Sequence, residues 1–109
     1  MECKVDIETG IMNCGGSEEF YAEVVEAFEE EGTKEALIKA YEDKDWDLYT
    51  INAHSLKGTM RLLGAEDAGE IGEKLQFAGE AKDIATIDSL HDEFVKMIDA
   101  SLAIIKAAI

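Results

Sequence analysis

The chain is expected to fold as an all-α protein, an antiparallel up-and-down four-helix bundle with an additional N-terminal helix. Three observations point there. Its 109 residues contain no proline and are 47% hydrophobic and 32% charged, the balance of one packed helical domain. Apolar residues recur at alternating threes and fours along most of the chain, the spacing of one helix face. The polar connections between these stretches are short, which forces neighbouring helices to run antiparallel.

Taken in order, residues 1–16 are polar and end in Gly15-Gly16, and they read as an arm around the apolar pair Ile11-Met12, ahead of a domain spanning 17–109. Ser17 has the character of an N-cap, with Glu18 and Glu19 in a favourable first turn. Phe20, Tyr21, Val24, Val25 and Phe28 follow at helical spacing until Gly32 stops the pattern. Thr33 caps a second, shorter helix carrying Leu37, Ile38 and Tyr41. Asp45 caps a third, where Trp46, Tyr49, Ala53, Leu56, Met60 and Leu63 mark the inward face before Gly64. Ala68, Ile71, Leu75 and Ala78 define a fourth. The last runs from about Ile84 to the end through Ile87, Leu90, Phe94, Met97 or Ile98, Leu102 and Ile105.

Charge narrows the partners. Ten basic against 25 acidic residues give a net charge of −15, a field that repels nucleic acid and anionic membranes. Cys3 and Cys14 form no C-x-x-C pair and read as free thiols. The charged opening residues contain no apolar run of signal or membrane-spanning length, so a cytoplasmic protein is expected. No sustained coiled-coil pattern extends the helices, which makes a monomer the expected state.

Chemistry concentrates in the third helix. At about 100° per residue, Asp47, Thr50, His54, Lys57, Gly58 and Arg61 fall opposite the apolar face, so His54 is expected to face water. Lys57 and Arg61 lie on its side of the helix, and their charge would favour an added phosphoryl dianion. Gly58 lies one turn beyond His54, where glycine costs about 1 kcal/mol against alanine. The missing side chain either admits another molecule's active site to the ring or packs against a neighbouring helix. Ile51 and Leu62 project about 60° to 80° from the histidine direction and form a candidate apolar rim for a partner, unless the first helix buries them. Asp88-x-x-His91 has the spacing of half a carboxylate-histidine metal site. Its second half is missing because Ile51 stands at the matching position before His54. No metal site is expected, and His91 reads as a surface or partly buried residue.

The run His54-Ser55-Leu56-Lys57-Gly58 resembles the H-x-x-K-G signature of histidine-containing phosphotransfer domains. Ala53 before it, Leu63-Gly64-Ala65 closing the helix, Asp45-Trp46 opening it and Glu73-Lys74-Leu75-Gln76 in the next helix extend the likeness over most of the chain. The resemblance implies a phosphorelay intermediate of two-component signalling: His54 takes a phosphoryl group from the aspartate of one receiver domain and passes it to another. It further implies His54 Nε2 as nucleophile, Lys57 as partner of the phosphoryl oxygens, Gly58 as the point of access and Gln76 as a hydrogen-bond partner near the ring. Arg61 is added from helix geometry alone. The chain needs no cofactor of its own, since Mg²⁺ comes with the receiver; a hybrid sensor histidine kinase is a further expected partner. No phosphate-binding G-x-x-x-x-G-K-[ST] loop occurs, so ATP is not expected to bind by that route. Two alternatives remain open: the phosphoacceptor domain of a chemotaxis-type kinase, and a helical interaction module without the chemistry.

Overall fold

The computed structural model describes residues 3–109, and among them it is all-helical. Six helices follow in order: α1 (Ile7–Asn13), α2 (Glu18–Glu31), α3 (Thr33–Asp43), α4 (Trp46–Leu62), α5 (Glu66–Glu80) and α6 (Ile84–Ala108). Their starts are set by short polar side chains that satisfy first-turn N–H groups. The Ser17 hydroxyl accepts from Phe20 N–H at 3.1 Å, and the Asp45 and Asp83 carboxylates accept from Leu48 and Thr86 N–H, each at 3.2 Å. Thr33, expected as a cap, is instead the first residue of α3. Gly32, at φ +69° and without a capping side chain, joins α2 directly to α3.

The segment expected as an arm contains a docked helix. The Asp6 carboxylate accepts from Thr9 N–H at 3.0 Å and from the Thr9 hydroxyl at 2.8 Å, bonds that hold it below the usual carboxylate range. Asp6 N–H donates to Gly64 O at 2.9 Å. The contact is close: a Cβ on Gly64, which sits at φ +90°, would stand 2.1 Å from Asp6 O, and one on Gly10 would stand 2.3 Å from Leu63 O. Tyr21 of α2 completes the junction by donating its buried hydroxyl to Leu63 O at 2.7 Å.

Contacts along the remaining helices run in opposite senses. Thr50, Lys57 and Arg61, ascending α4, face Gly79, Gly72 and Gly69, descending α5. Lys34 and Tyr41 of α3 pair with Asp99 and Asp88 of α6, both at 2.7 Å. The core they enclose contains Tyr21, Leu37, Leu56, Leu75, Phe94 and Ile98, all fully buried. Phe20, assigned by its spacing to a buried face, is 50% exposed. Cys3 and Cys14 are free thiols, and burial pushes the Cys14 thiol up. No helix of the described residues is long and apolar enough to cross a membrane.

His91 is a core residue rather than a surface or partly buried one. It is 5% exposed, lies 3.9 Å from Tyr41 in a stacked pair, and places Nδ1 2.8 Å from the Tyr49 hydroxyl. Its neighbours come from α3 and α4, so the Asp88-x-x-His91 spacing on its own helix says nothing about them. Burial lowers the imidazole from its ordinary value despite the opposing charges of Asp92 and Asp88. The unfolded chain therefore takes up this proton first, and the stability it withholds is lost as pH falls below about 6.5. Asp6, Asp83 and Glu73, all held low, lose their contributions only below about pH 4. Urea melts at about pH 7.5 and about pH 5 should thus show a stability loss that His91→Gln reduces; an equal loss in both proteins would place the titrating group elsewhere.

Candidate functional site

The site forms where α5 crosses the polar face of α4. Ala53 and Leu56 are fully buried, which turns His54 outward between them, and its ring is exposed. The polar face expected to meet water is divided: Asp47, His54 and Gly58 are open, whereas Thr50, Lys57 and Arg61 are half-buried against α5. Close approach is possible because α5 presents glycine at each crossing. A Cβ on Gly79 would lie 2.0 Å from Thr50 Oγ1, one on Gly72 would lie 3.2 Å from Lys57 Cβ, and one on Gly69 would lie 2.6 Å from Arg61 Cγ. Gln76 is the long side chain on this glycine ridge, and it reaches the histidine.

Gln76 Oε1 lies 3.0 Å from His54 Nδ1 and accepts from Lys57 Nζ at 2.7 Å, while Gln76 Nε2 donates to Glu80 Oε1 at 2.9 Å. These partners define the proton positions. An amide oxygen only accepts, so Nδ1 must carry the hydrogen of the neutral ring, and the lone pair is then on Nε2. Nε2 has no hydrogen-bond partner among the described residues. The geometry therefore offers an outward-facing nucleophilic nitrogen beside one ammonium group.

Arg61 is placed differently from the expectation. Two turns from His54, its Nε donates to Glu66 at 3.0 Å and its Nη2 to Glu73 at 2.8 Å. The hydrogen bond from Arg61 is the main cause holding Glu73 below the usual carboxylate range, and Glu73 in turn raises Arg61. Its charge is committed to two carboxylates of α5, partners that the helical wheel of α4 alone does not include. Lys57 is the cation bonded into the histidine cluster.

Gly58 behaves unlike the α5 glycines. A Cβ there would meet nothing within 4 Å, so helix packing does not account for the residue and the space beside the imidazole is open. Ile51 and Leu62 are 63% and 39% exposed, not buried against the first helix. Phe77, next to Gln76 and 55% exposed, is a further apolar residue that the sequence reading missed; its position off the Leu75–Ala78 stripe was the available signal. Glu80 was also missed, although it lies one turn beyond Gln76.

His54 lines none of the concavities at Phe28 and Leu102, at Phe77 and Leu90, or at Tyr41 and Trp46. No group of three or more His, Cys, Asp or Glu side chains among them is arranged to hold a metal ion. Comparison with protein-family models, curated proteins and solved structures returns no match.

The two kinds of glycine should separate in a stability measurement. Gly58→Ala is expected to leave the fold intact or stabilise it by up to about 1 kcal/mol. Gly79→Ala, which forces Thr50 away, should cost about 1–3 kcal/mol. Denaturant midpoints of the two variants check this, and similar values would mean that α5 does not need its glycines.

Proposed function

We propose that the chain is a histidine-containing phosphotransfer domain, a cytoplasmic, monomeric carrier between receiver domains of two-component systems. On this reading α3, α4, α5 and α6 make an up-and-down four-helix bundle, and α2, which starts after Ser17, is the additional N-terminal helix. The observation that carries the proposal is the His54 Nδ1···Gln76 Oε1 contact at 3.0 Å with Lys57 on the same oxygen. Together with open space at Gly58, it fits an Nε2 nucleophile approached in line by a phosphorylated partner.

The step balances simply. The Nε2 lone pair forms a bond to phosphorus as the bond from phosphorus to the donor aspartate breaks, and the electron pair leaves with that carboxylate. The Nδ1 proton stays in place against Gln76 Oε1, so the product is a protonated phosphohistidine. Its neutral imidazole is a good leaving group, and the reverse step onto another aspartate needs no proton transfer. Lys57 can leave Gln76 for the phosphoryl oxygens, where its charge is worth most. The receiver supplies Mg²⁺ and its carboxylate ligands. The exposed Ile51, Leu62 and Phe77 would be the apolar part of a transient interface, to a receiver domain or to a hybrid sensor kinase that contains one.

A receiver charged with acetyl phosphate in Mg²⁺ should transfer an acid-labile, base-stable label to the wild-type chain. His54→Gln should abolish the label while shifting unfolding by less than about 0.5 kcal/mol, because the ring is exposed. Labelling only by a kinase catalytic domain with ATP would replace the relay assignment with the chemotaxis-type one. No label from either source would leave an interaction module.

A further inference from the structure

We infer that Glu80 is a positioning residue that sets the tautomer of His54 through the Gln76 amide; this rests on His54 being the phosphoacceptor. A side-chain amide can present either its oxygen or its NH₂ to a neighbour, and only the first choice keeps the hydrogen on Nδ1 and the lone pair on Nε2. In the observed orientation every contact joins a donor to an acceptor: Lys57 Nζ and His54 Nδ1 to Oε1, and Nε2 to the Glu80 carboxylate at 2.9 Å. A rotated amide would set NH₂ against the Lys57 ammonium and oxygen against the Glu80 carboxylate. It would also donate to Nδ1, moving the ring hydrogen to Nε2 and blocking the nucleophile.

Glu80 and Lys57 share this task only while the histidine is unmodified. Once Lys57 turns to incoming phosphoryl oxygens, Glu80 is the remaining group besides the ring itself that is bonded to the amide. Its place on α5 agrees with a specific role. Glu80 is the last residue of the helix, where a carboxylate opposes the helix dipole, and no cation forms an ion pair with it among the described residues. Four residues separate it from Gln76, so the two side chains meet on one face of α5.

The test compares the intact wild-type chain with Glu80→Ala and Glu80→Gln, the second of which retains an acceptor. Nitrogen-15 shifts of the neutral His54 ring report the tautomer without any phosphorylation. Wild type and Glu80→Gln should favour Nδ1–H. Glu80→Ala should raise the Nε2–H fraction and slow label uptake from a charged receiver by about three- to tenfold, the loss of one charge-assisted hydrogen bond in an exposed setting. A labelled wild type whose tautomer ratio is unchanged in Glu80→Ala overturns the positioning role alone. An unlabelled wild type whose ring still responds to Glu80→Ala upholds the positioning role and overturns the phosphoacceptor assignment.

Discussion

The glycine-lined contact between α4 and α5 is the constraint from which the site follows. Gly69 and Gly79 leave no room for a Cβ against Arg61 and Thr50, and Gly72 would hold one only tightly, 3.2 Å from Lys57 Cβ, so the two backbones lie closer than ordinary side chains permit. At that spacing a glutamine on α5 reaches both a histidine and a lysine on α4. Were the helices separated by side chains at these crossings, Gln76 would hydrogen-bond to water and the ring would lose the acceptor that fixes its hydrogen. Glycine weakens an isolated helix. Here the burial of α5 against two neighbours offsets that cost, since Gly72 also packs beneath the Phe94 ring, 3.1 Å from where its Cβ would be.

Helix α4 is held at both ends as well as along α5, and its outer face between those ends is exposed at Ile51, His54 and Gly58. At its C-terminal end, Asp6, Gly10 and Tyr21 occupy the Leu63 and Gly64 carbonyls or press against them, satisfying acceptors that a helix end leaves open. At its N-terminal end, Tyr41, Trp46, Tyr49 and His91 form a cluster of edge-on, tilted and stacked rings. Tyr41 ties that cluster to α6 by donating to Asp88 at 2.7 Å. His54 lies between these anchors, so the two packed junctions set where the helix carries it and the Gln76 contact at 3.0 Å sets its ring.

What could be read in the sequence was what repeats along one helix. The Tyr49, Ala53, Leu56, Met60 stripe is periodic, and an outward His54 follows from it. Gly58 was legible as a cost without a local reason, though only the structure separates open space from packing. Gln76 entered through resemblance rather than spacing, because no periodic signal states which residue of α5 faces α4. Helix α1 was missed because seven residues are too few to display a period, and its stability comes from docking on Leu63 and Gly64. The Arg61 and His91 environments were misjudged for one shared reason: their decisive partners, Glu73 in one case and Tyr41 and Tyr49 in the other, lie on different helices.

On the proposed phosphotransfer reading, charge would suit this arrangement to carrying a group better than to keeping it. The chain has a net charge of −15, and a phosphoryl group on His54 would add to it. Had Arg61 been free beside Lys57, two cations would stabilise that dianion and deepen the well from which it must leave. Glu66 and Glu73 instead hold Arg61 at 3.0 and 2.8 Å, and Lys57 is left as the single cation among the described residues bonded into the histidine cluster. Charge stabilisation sufficient for transfer but not for trapping would then come mostly from the Mg²⁺ site of whichever receiver is docked. On that reading, departure of the receiver would take the stabilisation away and leave a protonated phosphohistidine able to react with the next.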